Sequence, residues 1–144
     1  MSDHTASCHC GNLRAKVNLS ALPADVQVRA CQCSFCRKHG ALTIGDAKSF
    51  VRFEAEQPQT VERYRFGSKT SDFLVCRRCG VYVGAVCKTP AGLKGIVNLN
   101  TVDDRAVFTG TPEAMNYDGE DLGSRVDRRA ARWMNASVSF QANA

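Results

Sequence analysis

Apolar and polar residues alternate with a period of two along much of the chain. In the two clearest segments, LRAKVNL and VQVRA, the alternate apolar positions are Leu13, Ala15, Val17, Leu19, Val26, Val28 and Ala30. Because successive side chains of a strand point to opposite faces, this alternation predicts half-buried β-strands. Further strand candidates are SFVRF, TVERYRF, DFLVC, VYVGAVC and GIVNLN, separated by turn-like stretches such as EQPQ, FGSK and KTPAG. Many short strands with such turns predict a mainly β fold.

Helical signals are confined to two places. SFCRKHG predicts one helical turn after Cys33, and the segment around Gly123 to Met134 is the one sustained helical candidate. The length of 144 residues suits one hydrophobic core, and no linker or repeat divides the chain. We therefore predict a single domain over residues 1–144, with a motif core at about 7–110 and a C-terminal arm or helix at 111–144.

Charge adds little to this picture. The net charge is +5, and Arg125, Arg128, Arg129 and Arg132 would form a stripe along the predicted C-terminal helix. No recognition motif with interleaved aromatic residues is present, so a solvated helix face is a simpler interpretation of the stripe than nucleic-acid binding. No apolar run approaches the roughly 18 residues that a membrane span requires. We expect neither a nucleic-acid nor a membrane partner.

Eight cysteines are the most informative feature of the composition. They are Cys8, Cys10, Cys31, Cys33, Cys36, Cys76, Cys79 and Cys87. The segment MSDHTASCHC is polar and lacks the apolar stretch of a secretory signal, so we expect reduced thiols and a cytoplasmic protein. The cysteines occur as CxC twice and as CxxC twice, which indicates metal binding rather than a disulfide framework.

Four of these cysteines suit a structural zinc site. In a strand, side chains two residues apart share a face, so CHC would direct the sulfurs of Cys8 and Cys10 at one point. In CRRCG, Cys76 and Cys79 bracket a tight turn, and Gly80 tolerates the positive φ that such a turn requires. A structural zinc takes four tetrahedral ligands, which these two pairs provide. The site would act as a staple between the N-terminal strand and the middle of the chain.

The motif CQCSFC suggests a second, different site. Cys31, Cys33 and Cys36 can all reach one ion, and three protein ligands with an open fourth position are typical of a catalytic zinc. Two residues could close the position: Cys87, for which a buried apolar thiol is the simpler interpretation, and His39, which could also be a turn residue or hydrogen-bond to a ligand. A further candidate, His9, lies between Cys8 and Cys10, so it points to the opposite face and is interpreted as exposed. The spacings of iron–sulfur proteins are absent, which favours zinc.

The cysteines lie in three longer segments, SCHCGNLRAKV, ACQCSFCRKHGAL and FLVCRRCGVYVG, between roughly Ser7 and Gly84. These segments closely resemble the signatures of the glutathione-dependent formaldehyde-activating enzymes and their centromere protein V relatives. It implies a β-tent fold of small antiparallel sheets with two zinc ions. The implied ligands are Cys8, Cys10, Cys76 and Cys79 for a structural zinc, and Cys31, Cys33 and Cys36 for a zinc that glutathione or water completes.

The expected activity is that of a zinc-dependent carbon–sulfur lyase. Its substrate would be a glutathione–aldehyde adduct resembling S-hydroxymethylglutathione, or a related thiol conjugate. Arg37 and Lys38 are placed to offset the charge of the thiolates and to pair with glutathione carboxylates, or else are simply solvated. His39 would shuttle the hydroxyl proton. The alternative is a non-catalytic zinc module for protein or nucleic-acid interaction, in which Cys87 or His39 completes the second tetrahedron. A homo-oligomer is compatible with the sequence.

Overall fold

The computed structural model describes residues 1–140, which form a mainly β structure as predicted. The strands are β1 (Ser2–Ser7), β2 (Leu13–Leu19), β3 (Arg29–Cys31), β4 (Thr43–Ile44), β5 (Phe50–Ala55), β6 (Val61–Tyr64), β7 (Ser71–Cys76), β8 (Tyr82–Thr89), β9 (Gly92–Asn98), β10 (Glu113–Met115) and β11 (Met134–Val138). The helices are α1 (Ser34–His39) and α2 (Leu122–Arg132), close to the two segments predicted to be helical. Within the described residues, neither helix is long and apolar enough to cross a membrane.

In the described part of the chain, hydrogen bonds join the strands into one mixed sheet of 11 strands. Its main path runs β1-β2-β5-β11-β9-β4-β3-β10, and β8, β7 and β6 branch from β9. Most neighbouring strands are antiparallel, but β3 pairs with β10 and β5 with β11 in parallel. These two pairs bring the C-terminal part of the chain back onto early strands, and α2 lies between them against β8 and β9. The strands therefore form one continuous mixed sheet, whereas several small antiparallel sheets were expected. Alternation within single strands does not reveal this long-range pairing.

The core follows the alternation read from the sequence. The predicted inward positions of β2 are all buried, with exposures between 0% for Leu13 and 2% for Val17. Val26 and Val28 are buried too, but only the end of VQVRA forms a strand. The reason is local, because the Val26 amide donates to the Pro23 carbonyl oxygen and closes a 3-10 turn. The regular ladder therefore begins only at Arg29.

The alternation of apolar and polar residues does not predict four of the strands, namely β1, β4, β10 and β11. In β1 the buried positions are His4 and Ala6, so one inward side chain is polar. Its imidazole is satisfied by Asp104, 2.9 Å from Nδ1, and by the Ser2 hydroxyl, 2.9 Å from Nε2. Because a hydrogen-bonded polar residue replaces an apolar one, alternation in hydrophobicity does not mark this strand.

Close packing of β8 on its neighbours gives a first testable prediction. A Cβ atom at Gly84 would lie 2.4 Å from the Ile96 carbonyl oxygen and 2.7 Å from the Phe53 ring. We expect Gly84→Ala to lower the free energy of unfolding by about 1–3 kcal/mol because the added methyl group overpacks the core. Urea denaturation measures this change. Gly123→Ala in α2 is the matched control, because its nearest atom would be 3.7 Å away. Equal destabilisation by the two substitutions would contradict the packing argument.

Candidate metal centres

The first candidate centre gathers four sulfurs from two hairpin turns. Cys8 and Cys10 lie between β1 and β2, whereas Cys76 and Cys79 lie where β7 turns into β8. The Cys8 and Cys10 sulfurs are 3.7 Å apart, those of Cys10 and Cys76 are 3.6 Å apart, and all four lie within 4.8 Å of one another. Four ligands about 2.3 Å from a tetrahedral zinc would be about 3.8 Å apart. The set therefore has the spacing of metal ligands, far beyond the roughly 2.0 Å of a disulfide.

Both turns depend on a glycine with positive φ. Gly80 has φ +81° and donates its amide to the Cys76 carbonyl oxygen at 2.7 Å, which confirms the tight turn predicted for CRRCG. Gly11 has φ +83° in the other turn, where the Cys8 amide donates to the Leu13 carbonyl oxygen. The prediction that CHC lies on a strand was wrong, because β1 ends at Ser7 and this turn begins directly after it.

Backbone amides favour the thiolate form at one of these turns. Burial raises the pKa of Cys79, but hydrogen bonds from the amides of Cys10 and Val81 outweigh it and lower the pKa to about 6. Burial also opposes ionisation of Cys76, whose pKa is nevertheless lowered, mainly by the amides of Cys79 and Arg78. Because a metal binds the thiolate, two of the four ligands are prepared for it.

The second candidate centre lies at the junction of β3 and α1. Cys31 is the last residue of β3, Cys33 is the N-cap of α1 and Cys36 lies within the helix, and their sulfurs lie within 4.8 Å of one another. The Cys36 amide donates to the Cys33 sulfur at 3.4 Å. Here too the chain leaves the strand between the cysteines, so CQC is not a pair on one strand as predicted. The helical turn predicted after Cys33 is confirmed.

Hydrogen bonds among the three sulfurs shift their pKa values in different directions. Hydrogen bonds from the thiols of Cys31 and Cys36 hold the pKa of Cys33 well below its usual value. Hydrogen bonds with Cys31 and then with Cys33 raise the pKa of Cys36, and the bond with Cys33 raises the pKa of Cys31. Hydrogen bonding within the cluster therefore favours the ionised form most at Cys33, and a metal ion would displace the protons of the neighbouring thiols.

A cavity of about 290 Å³ opens at the second centre. Its lining comprises the three sulfurs, the apolar residues Phe66, Phe73, Ile96 and Trp133, the four arginines Arg29, Arg125, Arg128 and Arg129, and Ser34, Thr43, Gly67, Tyr117 and Asp118. No cysteine of the first centre is among these residues. The two centres thus differ in surroundings, since this cavity adjoins the three-sulfur set and not the four-sulfur set.

Three of the four cavity arginines come from α2, so the interpretation of their stripe as a solvated helix face was wrong. Arg129 is only 8% exposed, and its guanidinium lies 4.9 Å from the centre of the Trp133 ring. Arg125 and Arg128 bind the Glu120 carboxylate at 3.2 and 2.8 Å. Only Arg132 is exposed as expected. These are the candidate binding residues that sequence reasoning missed, although their spacing of three and four residues was visible.

The basic residues predicted beside the second centre lie elsewhere. Arg37, Lys38 and His39 are all exposed, and none of them lines the cavity. Arg37 donates to the Gln32 carbonyl oxygen at 3.1 Å, and the His39 ring packs 4.4 Å from that of Phe35. Their proposed roles in binding and proton transfer stay predictions that this geometry does not favour.

Neither of the residues considered as a fourth ligand belongs to the three-sulfur group. Among the described residues, that group contains neither His39 nor Cys87. Cys87 is buried in β8 with 1% exposure, and Arg129 Nη1 donates to its sulfur at 3.9 Å. Within residues 1–140, this group therefore offers three of the four ligands that a tetrahedral zinc ion takes.

Two comparisons with known proteins extend these observations. Residues 3–122 match the family model described as glutathione-dependent formaldehyde-activating enzyme. A crystal structure of a Rhodobacter sphaeroides protein is similar to this chain, with 27% sequence identity and a TM-score of 0.56, and the similarity covers 77% of this chain and 99% of that one. Both cysteine sets lie inside the matched residues, whereas α2 begins where the match ends.

Proposed function

Since the chain belongs to the family of glutathione-dependent formaldehyde-activating enzymes, we propose that it is a zinc-dependent carbon–sulfur lyase. The substrate is the adduct of glutathione or a related thiol with a small aldehyde. In the lyase direction the carbon–sulfur bond of the adduct breaks, and the hydroxyl proton passes to the sulfur as the aldehyde is released. In the reverse direction the thiol sulfur bonds to the aldehyde carbon, and the thiol proton passes to the aldehyde oxygen. The observation that carries the proposal is a set of three cysteine sulfurs facing a cavity large enough for a small molecule.

The donor atoms of both cysteine sets fit zinc. Thiolate sulfur is a preferred zinc ligand, and the four-sulfur set offers a complete tetrahedron while the three-sulfur set offers three of four corners. Cys31, Cys33 and Cys36 would hold the zinc ion that takes part in the reaction. Bound there, zinc supplies a Lewis acid that favours the ionised form of a thiol at its open position.

The remaining residues of the cavity prepare it for a charged sulfur compound. Phe66, Phe73 and Trp133 form an apolar wall that limits the access of water. Three thiolates and one zinc ion carry a net charge of about −1, and an added thiolate makes it about −2. Arg29 and Arg129 place positive charge in the same wall, which offsets this negative charge.

The alternative, a non-catalytic zinc module, needs a protein side chain as the fourth ligand of the second zinc. Neither of the two residues considered for that position is in the three-sulfur group. A module also needs no internal space beside the metal, whereas this group adjoins a cavity. Both observations favour the enzyme.

The proposal is tested by the rate at which glutathione and formaldehyde combine and separate. We expect the zinc-loaded protein to accelerate this exchange well above the rate in buffer that contains the same concentration of free zinc, as followed by NMR exchange spectroscopy. The same measurement with other thiols and aldehydes defines the preferred substrate. A protein that holds two zinc ions per chain and accelerates none of these reactions would refute the proposed activity.

A further inference from the structure

Two arginines of the cavity wall lack the partners that buried guanidinium groups normally have. Arg129 is more than nine-tenths buried, and its Nε is enclosed without a hydrogen-bond acceptor. Arg29 has an enclosed Nη2 that also lacks one. Within residues 1–140, neither side chain forms an ion pair with a carboxylate. Asp46 acts on Arg29 electrostatically but is not paired with it directly. A buried cation without a directly paired counter-charge is costly, so an anion in the cavity would stabilise both guanidinium groups.

The groups nearby do not satisfy these donors. Arg129 Nη1 donates to the Thr70 hydroxyl at 2.6 Å and to the Cys87 sulfur, and Arg29 Nη1 donates to the Gly45 carbonyl oxygen at 3.0 Å. Each arginine is thereby held in place by Nη1, while Arg129 Nε and Arg29 Nη2 are enclosed without an acceptor among the described residues. The sulfurs of the second metal centre accept no hydrogen bond from either arginine, so the metal centre leaves these donors unused.

Two other arginines of the cavity lining already bind a carboxylate of the protein itself. Arg125 and Arg128 hold Glu120 between them, and Arg128 donates to both of its oxygens, at 2.8 and 3.1 Å. Glu120 thus forms ion pairs with Arg125 and Arg128. Across the part of the chain that the structure describes, no acid forms such a pair with Arg29 or Arg129, although Asp118 also lines the cavity.

We propose that Arg29 and Arg129 bind a carboxylate of the thiol substrate, so that the cavity selects acidic thiols over neutral ones. The inference rests on the proposed function, because it assumes that the thiol sulfur enters at Cys31, Cys33 and Cys36. Both arginines share one cavity of about 290 Å³ with these sulfurs, so the thiol and the carboxylate belong to one small molecule. Arg129 lies beyond the family match, which ends at residue 122. The preference is therefore set partly by a segment outside the matched residues.

The test compares two thiols that differ in charge and little in shape, 3-mercaptopropionate and 3-mercaptopropionamide. We expect the zinc-loaded protein to bind the acid about 10- to 100-fold more tightly in calorimetric titrations, as charge-assisted hydrogen bonds to arginine provide. Arg129→Met and Arg29→Met should each lower the affinity for the acid towards that for the amide and leave the amide unaffected. Arg132→Met is the matched control, because this arginine lies on the same helix but is exposed.

The outcomes separate this inference from the proposed function. Equal affinity for acid and amide in the unsubstituted protein would overturn the inference whether or not the variants fold. An acid preference that survives in both folded variants would also overturn it, because other residues would then bind the carboxylate. Lyase activity without an acid preference would refute only the inference, whereas a strong acid preference without lyase activity would refute only the proposed function.

Discussion

A Cys76→Ser variant is expected to lose the first metal ion and, with it, the folded state at room temperature. Cys76 is completely buried, and its sulfur lies 3.6 Å from that of Cys10, which belongs to a different hairpin. A structural zinc contributes on the order of 10 kcal/mol to folding, whereas the net stability of a domain is about 5–15 kcal/mol. Loss of one ligand therefore removes a large part of the total. Zinc content and far-ultraviolet circular dichroism report the two losses together.

Cys87→Ala is the control for this substitution. Cys87 is as buried as Cys76 but belongs to neither cysteine set, so its replacement should cost only about 1–2 kcal/mol and leave both zinc ions bound. If both variants unfold to the same extent, the packing of a buried thiol rather than metal binding explains the effect. A folded Cys76→Ser protein that retains two zinc ions would rule out the structural role of this centre.

At the second centre we expect the opposite combination, with activity lost and the fold retained. Cys33→Ala removes one of only three protein ligands, so one zinc ion per chain should be lost. Lyase activity should fall by at least about 100-fold, since even residues that only orient a metal ligand are worth about 10- to 100-fold. The structural cost is the N-cap of α1, about 0.5–2 kcal/mol. Zinc content, exchange rate and urea denaturation separate these effects.

Lys38→Ala is the matched control in the same helix. Lys38 is exposed and outside the cavity lining, so activity, zinc content and stability should all stay unchanged. A clear loss of activity in Lys38→Ala would support the role predicted for it from the sequence. Full activity in Cys33→Ala would show that the three-sulfur centre is not the reaction site.

The cysteine sets illustrate what a sequence can predict. Metal coordination needs a fixed number of donors at short distances, so spacings such as CxC and CxxC restrict which sulfurs can share an ion. Both sets predicted in this way are brought together in the fold. The local backbone was predicted less well, because CHC lies in a turn and not in a strand. This turn is held by hydrogen bonds between Cys8 and Leu13, which the spacing of the cysteines does not reveal.

The arginines illustrate where sequence reasoning fails. Arg37 and Lys38 follow Cys36 directly, but each residue of a helix is rotated by about 100° from the previous one, so neighbours in sequence point in different directions. Arg125, Arg128 and Arg129 are three and four residues apart and share one face of α2. Whether such a face meets solvent or a cavity depends on what packs against it. Here α2 packs against β8 and β9. The hydrophobic pattern marks both strands but does not reveal their contact with this helix.

The parallel pairing of β10 with β3 and of β11 with β5 fixes both ends of the segment that carries these arginines. Residues 116–133 thus connect two strands, β10 and β11, that are each fixed in the sheet. Exposed side chains of this segment can be exchanged without touching the strands that anchor it, whereas Trp133 packs in the core beside Cys36. A laboratory library confined to this segment, with Trp133 kept, is therefore a direct way to change which small molecules the cavity accepts.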